Sequence, residues 1–200
     1  MSATTYYKFR SIENWKFILD IIVNSRLYAA SFQSLNDPME GRYFFFGETV
    51  AGAFRRAILN SKRQQNICSL SRTKTSTLLW SYYASGHKGI AFGVKLPGRI
   101  EGYRVNYDNG VYIGPEAVRQ TPDRVARDIL TQKQTAWEHE EEIRVFTHDS
   151  YVPVVLSELV LGCMIEPADA KLISALARKW HPRIRISKLN RSKLDKPEAV

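Results

Sequence analysis

Residues 137–146, Trp137-Glu138-His139-Glu140-Glu141-Glu142-Ile143-Arg144-Val145-Phe146, pass from a dense run of carboxylates straight into a β-branched, aromatic segment. The second half of this run favours a strand, and side chains on a strand alternate between its two faces. If the strand already includes Glu140, then Glu140, Glu142 and Arg144 share one face, with Glu141, Ile143 and Val145 on the other. A core strand tolerates such a row where its face lines a cleft. The alternative is a helix end running into an edge strand, its charges solvated.

The rest of the chain sets the frame for that strand. Its 200 residues, 44% hydrophobic and 12% aromatic, suffice for one sizeable core. Strand patterns fall at 6–10, 27–31, 66–71, 89–94, 141–146, 156–161 and 183–188. Helical patterns fall at 11–22, 50–59, 76–84, 121–130 and 168–180. Ser11 and Thr121 stand as helix caps, Thr121 with Pro122 behind it. Asp108-Asn109-Gly110 predicts a hairpin turn between 104–107 and 111–112. Short strands mixed irregularly with helices predict a single α+β domain over 1–190, with short mixed or antiparallel sheets and flanking helices. Residues 191–200 read as a flexible basic tail.

Several function classes are disfavoured. Neither a Rossmann glycine fingerprint nor a P-loop motif occurs. Cys68 and Cys163 stand far apart without a C-x-x-C pair, which points to a reducing cytoplasm and no metal. No apolar run has the length of a membrane helix, so no membrane association is expected. The net charge is +9, and between Arg178 and Lys196 eight Lys or Arg face the single acid Asp195. That stripe favours a polyanion such as nucleic acid, with Arg183, Arg185, Lys188, Arg191 and Lys193 as phosphate contacts. The other reading is a solubilising extension.

Polar groups with a capacity for chemistry recur elsewhere. Lys8 and Arg10 alternate on the first strand, so both can face one anion. Ser69 and Ser71 share a face of the third. Trp80, Tyr82 and Tyr83 precede His87 and Gly89, a cluster that can equally be core packing beside a turn. Asn36-Asp37-Pro38 is a turn that needs no function of its own.

Together these motifs resemble a bacterial and phage domain-of-unknown-function family over residues 6–165. The matching segments are Tyr7-Lys8-Phe9-Arg10-Ser11, Leu27-Tyr28-Ala29-Ala30-Ser31 and Leu35-Asn36-Asp37-Pro38-Met39-Glu40, followed by Cys68-Ser69-Leu70-Ser71, Trp80 to Gly89, and Trp137 to Arg144. Leu35 and Met39 stand where the family has Phe. The order Arg, Ser-x-Ser, Glu-x-Glu is in turn similar to the Arg-Ser-Glu class of ADP-ribosyltransferases, with Leu70 in place of the usual Thr.

That resemblance implies an ADP-ribosyltransferase-like fold and NAD as substrate, without metal. It implies that Arg10 holds phosphate or ribose, Ser69 fixes the nicotinamide-side ribose and Ser71 supports the strand. Glu142 would be the catalytic carboxylate and Glu140 the residue that handles the acceptor. Tyr28, Tyr82 or Tyr83 would stack the nicotinamide, and Tyr83 or His87 would reach the groove. A toxin-like or phage-defence role, with an antitoxin or neighbouring protein as partner, goes with it. The residue types suit the chemistry. Breaking the bond to nicotinamide builds positive charge on the ribose, which a fixed carboxylate stabilises, and the leaving group departs neutral. Arg144 is expected to hold Glu142 by a charge-assisted bond. The competing class is a nucleotide or nucleic-acid binding module without catalysis. The Glu140-x-Glu142 pair separates the two, because a polyanion-binding cleft has no use for inward carboxylates.

Overall fold

The alternation of Tyr6–Arg10 (β1) sets the two sides of the central sheet: Phe9 packs with Leu79 and Trp80, so Lys8 and Arg10 take the opposite side. The computed structural model describes residues 4–37, 39–45, 52–98, 100–108, 112–190 and 193–199. Helix α1, Trp15–Asn24, buries Ile18, Ile21 and Ile22 and ends at Ser25, whose left-handed backbone closes it. The short strands β2 (Arg26–Tyr28), β3 (Ala30–Ser31) and β4 (Phe44–Phe45) follow, then α2, Gly52–Gln64. Next come β5, Asn66–Ser71, and α3, Thr77–Tyr83, which is capped by the Ser76 hydroxyl. Strand β6, Ile90–Lys95, is almost wholly buried: Ile90, Phe92 and Val94 face one core and Ala91 the other.

The middle of the chain differs from expectation. Strands β7 (Tyr103–Arg104), β8 (Asn106–Tyr107) and β9 (Tyr112–Ile113) precede α4, Pro122–Leu130, and β10, Gln132–Lys133. The expected 104–112 hairpin does not form between these strands. β8 pairs in parallel with β10, and β9 in parallel with β4. Non-local partners override the Asn-Gly turn signal, which itself lies outside the described residues.

Strands β11 (Glu142–Thr147), β12 (Tyr151–Pro153) and β13 (Val155–Leu161) are followed by α5, Pro167–Trp180. Strands β14, Arg185–Asn190, and β15, Lys193–Ala199, complete the order. The expected loose tail is a correction. Its residues 193–199 run antiparallel to β14, with Ser187 opposite Ala199, and so cover backbone groups that β14 would otherwise leave open. Pro197 is compatible with that position because β15 is an edge strand.

The result is a compact α+β fold with mixed sheets. Its nine-stranded sheet runs β15-β14-β13-β6-β1-β5-β11-β7, with β3 beside β5. Helices α1 and α5 bury Ile18, Ile22, Ile173 and Ala177 in the larger core, against Phe92, Val145 and Leu159. Helices α2 and α4 form a smaller one around Ile58, Val125 and Ile129. Among the described residues no helix is long and apolar enough to cross a membrane.

One interruption in the sheet decides where a site can lie. β5 is bridged to β11 through six residue pairs and β1 to β6 through five, but β1 meets β5 only at Tyr7 opposite Ser71. Beyond that pair the two strands part.

Candidate functional site

A cavity of about 250 Å³ occupies the parting of β1 and β5, lined by Lys8, Arg10, Asn36, Ser69, Ser71, Tyr83, Lys133, Glu140 and Glu142 among others. A second of about 280 Å³ shares Lys8, Arg10, Leu35 and Ser69 with it and adds Asn14, Phe17 and Tyr28. Arg10, Ser69 and Glu142, distant in sequence, therefore line one cleft. Tyr83 reaches its first chamber and Tyr28, 44% exposed, its second.

The two carboxylates arrive by a route the sequence pattern does not give. The strand begins at Glu142, not Glu140. Residues Thr135–Glu140 form a 3-10 helix, and Glu141 adopts a left-handed φ of 43° between them. That reversal turns Glu140 and Glu142 into the same cavity without placing them on one strand face. Ser71 fastens the junction, its hydroxyl donating to the Glu140 carbonyl at 2.7 Å and accepting from the Thr73 N–H at 3.1 Å. Its role is positional.

Glu142, 3% exposed, is gripped from several sides. Arg144 Nε donates to Oε1 at 2.8 Å and a terminal guanidinium nitrogen to Oε2 at 3.0 Å; Lys133 Nζ reaches Oε2 at 3.2 Å, and the Ser69 hydroxyl adds a further bond. Burial alone would raise the Glu142 carboxyl, but Arg144 and Lys133 outweigh it and hold it at about 2. Arg144 is fully buried, and it also donates to the Leu130 carbonyl and to Glu40. Glu140 accepts from Lys133 at 2.6 Å and from the Tyr83 hydroxyl at 2.7 Å, while Asn36 Nδ2 donates to that same hydroxyl at 2.5 Å. Burial and then Glu140 push the Tyr83 phenol far above its ordinary range.

Three carboxylates, Glu40, Glu140 and Glu142, thus share two cations, Lys133 and Arg144. Arg144 holding Glu142 follows the sequence expectation. Lys133 was not foreseen as a member. Lys133 is nearly enclosed, sits 4.9 Å from the Trp137 ring centroid, and is raised by the three carboxylates against the lowering effect of burial. It lies seven and nine residues before its partners, and the three sit on different elements, so no single helix or strand period relates them. The usable signal was an excess of buried acids over Arg144 alone.

The other wall is the reverse. Lys8 Nζ donates to the Ser69 carbonyl at 2.7 Å, and Arg10 donates back to the Phe9 carbonyl at 3.2 Å. Neither forms an ion pair among the described residues, and Arg10 Nε is buried without a partner. Burial lowers the Arg10 guanidinium and brings Lys8 down to about 8.

Two expected contributors lie elsewhere. His87 lines neither chamber. Its ring stacks on Trp80 with centroids 6.2 Å apart, in a turn where the Gly89 N–H returns to the Ala84 carbonyl at 2.8 Å. Tyr82 is 62% exposed and leans on His139, off the cleft lining. Trp80, fully buried edge-on to Phe9, is packing, as the cluster reading anticipated. The chain matches no family model, no curated protein and no solved structure.

Proposed function

We propose that this cleft binds NAD and breaks its bond to nicotinamide, making the protein an ADP-ribosyltransferase-like enzyme or NAD glycohydrolase. The observation that carries this reading is the opposition of two cations without an ion pair among the described residues, Lys8 and Arg10, to two buried carboxylates across Ser69, in the parting between β1 and β5. A dinucleotide has the complementary chemistry: a doubly charged pyrophosphate for the cations and ribose hydroxyls for the carboxylates. With its carboxyl held near 2, Glu142 is ionised at neutral pH and can stabilise an oxocarbenium-like ribose but cannot donate a proton. The neutral departure of nicotinamide makes a donated proton unnecessary. Glu140, adjoining it, would orient an acceptor. A cytoplasmic setting, a nucleic-acid acceptor and a neighbouring-protein partner belong to the same proposal.

A second reading, a binding module without catalysis, is favoured by how fully Glu142 is already occupied. Arg144, Lys133 and Ser69 engage both of its oxygens, leaving little lone-pair capacity for a sugar hydroxyl. Incubation with NAD while following nicotinamide release, with and without candidate acceptors, separates the two. Release that Glu142→Gln abolishes and Arg10→Gln weakens supports the enzyme. Saturable NAD binding with no release at any enzyme concentration assigns the cleft to binding alone.

A further inference from the structure

The two chambers meet at Lys8, whose amine has an environment unlike that of a surface lysine. Among the described residues it carries no carboxylate partner, and a hydrogen bond to the Ser69 carbonyl fixes its direction. Arg10 stands two residues along the same strand, its Nε buried without a hydrogen-bond partner among the described residues. Beyond Arg10 the second chamber is walled by Phe17 and Tyr28, whose ring centroids lie 6.3 Å apart. We propose that Lys8 is a nucleophilic amine that condenses with small anionic carbonyl compounds, the anion resting on Arg10 and a flat body against Tyr28. This is a covalent site that NAD turnover does not require.

The chemistry is balanced without a co-reactant. The nitrogen lone pair forms the bond to the carbonyl carbon, and the carbonyl π pair moves to oxygen. The resulting carbinolamine loses water to give an imine. The step needs a neutral amine, and the groups facing Lys8 govern how readily it becomes one. Burial and then Arg10 lower its affinity for a proton, while Cys68 on β5 and, more weakly, Glu142 and Glu140 oppose them, leaving the ammonium at about 8. A substantial neutral fraction is therefore present near physiological pH. The buried lysines Lys62 and Lys133 lack the combination that the half-buried Lys8 has. Lys133 is raised by its carboxylates. Lys62 is also lowered by burial, but it is 4% exposed, donates to the Gly41 carbonyl and lines neither chamber.

Pyridoxal 5′-phosphate, an aldehyde with a phosphate, is the probe, with borohydride reduction of the imine and peptide mapping by mass spectrometry. Lys8 should be labelled ahead of the exposed lysines, and roughly tenfold faster one unit above its titration point than one unit below. Inorganic pyrophosphate should protect it. Arg10→Gln should slow labelling by pyridoxal phosphate much more than labelling by uncharged acetaldehyde, which falls only as far as the neutral amine fraction does once the Arg10 charge is gone. Lys8→Arg, checked by circular dichroism for an intact fold, should remove the labelled peptide. The proposal is overturned if label spreads over surface lysines while Lys8 of the folded wild type stays unmodified. If Arg10→Gln slows labelling by pyridoxal phosphate no more than labelling by acetaldehyde, relative to the wild type, the anion-directed part is overturned.

Discussion

Glu142 and Glu40 flank the same guanidinium yet respond to acid in opposite senses. The Glu142 carboxyl sits at about 2 in the fold against an ordinary 4.5, so its stabilising contribution is complete above 4.5 and is lost as pH falls toward 2. Burial raises Glu40 despite Arg144 and Lys133, so its contribution is present below 4.5 and is lost as pH rises through its folded value. Glu142→Gln should therefore flatten the acid limb of a pH–stability curve and cost more at neutral pH than Glu40→Gln. Denaturant melts across the acid range measure both, and equal losses at neutral pH would contradict the assignment. Lys133→Met removes the cation that three carboxylates share, and a broken buried network of this kind costs about 3–5 kcal/mol. Of these residues the sequence makes Arg10, Ser69, Glu142 and Arg144 legible, because strand alternation gives each a face. Lys133 was not, since only tertiary folding brings it under its partners.

At the scale of elements, the junctions around the cleft carry as much as the strands. Glu141 is exposed and left-handed, a conformation that costs a non-glycine residue on the order of 1 kcal/mol. Glu141→Gly should hold or raise the melting temperature without disturbing the neighbouring carboxylates, whereas Glu141→Val should lower it. Gly89 answers to close approach instead. A Cβ there would lie 2.3 Å from the Arg10 carbonyl, backbone that cannot step aside. Gly89→Ala should displace the end of β1, and with it Arg10, so stability and anion binding should fall together. Trp80→Ala should cost about 3–5 kcal/mol by opening a fully enclosed site beside Phe9. Most strands and helices were legible because their apolar periodicity is strong, as in Ile18, Ile21 and Ile22 of α1. Two-residue strands such as β8, β9 and β10 have no period to read, and their partners lie far along the chain. The left-handed Glu141, with nothing in its identity to announce it, hid how the two carboxylates meet.

Across the whole molecule the excess of positive charge is concentrated toward the C-terminus, and the structure changes how that charge can be tested. Truncation after Trp180 would delete β14 and β15 and uncover β13, so lost binding would report a damaged sheet rather than a lost contact. Arg183 and Arg185 are exposed; Arg185 stands opposite the buried Glu158 of β13, so its reversal also brings two carboxylates together, and Arg183 is the cleaner position. If nucleic acid is the acceptor or partner, each of Arg183→Glu and Arg185→Glu should lower affinity uniformly across sequences. Each should also reduce the slope of log affinity against log salt by about one. NAD binding at the cleft should change little, because the proposed site uses Lys8 and Arg10 on another strand and a small ligand displaces few counterions. Salt titrations of a fluorescent oligonucleotide, run beside NAD binding on the same variants, give both readouts. Unchanged oligonucleotide slopes would make the basic strands a solubilising edge and place any nucleic-acid contact elsewhere. A loss confined to NAD would mean that the reversals had reached the cleft through the sheet.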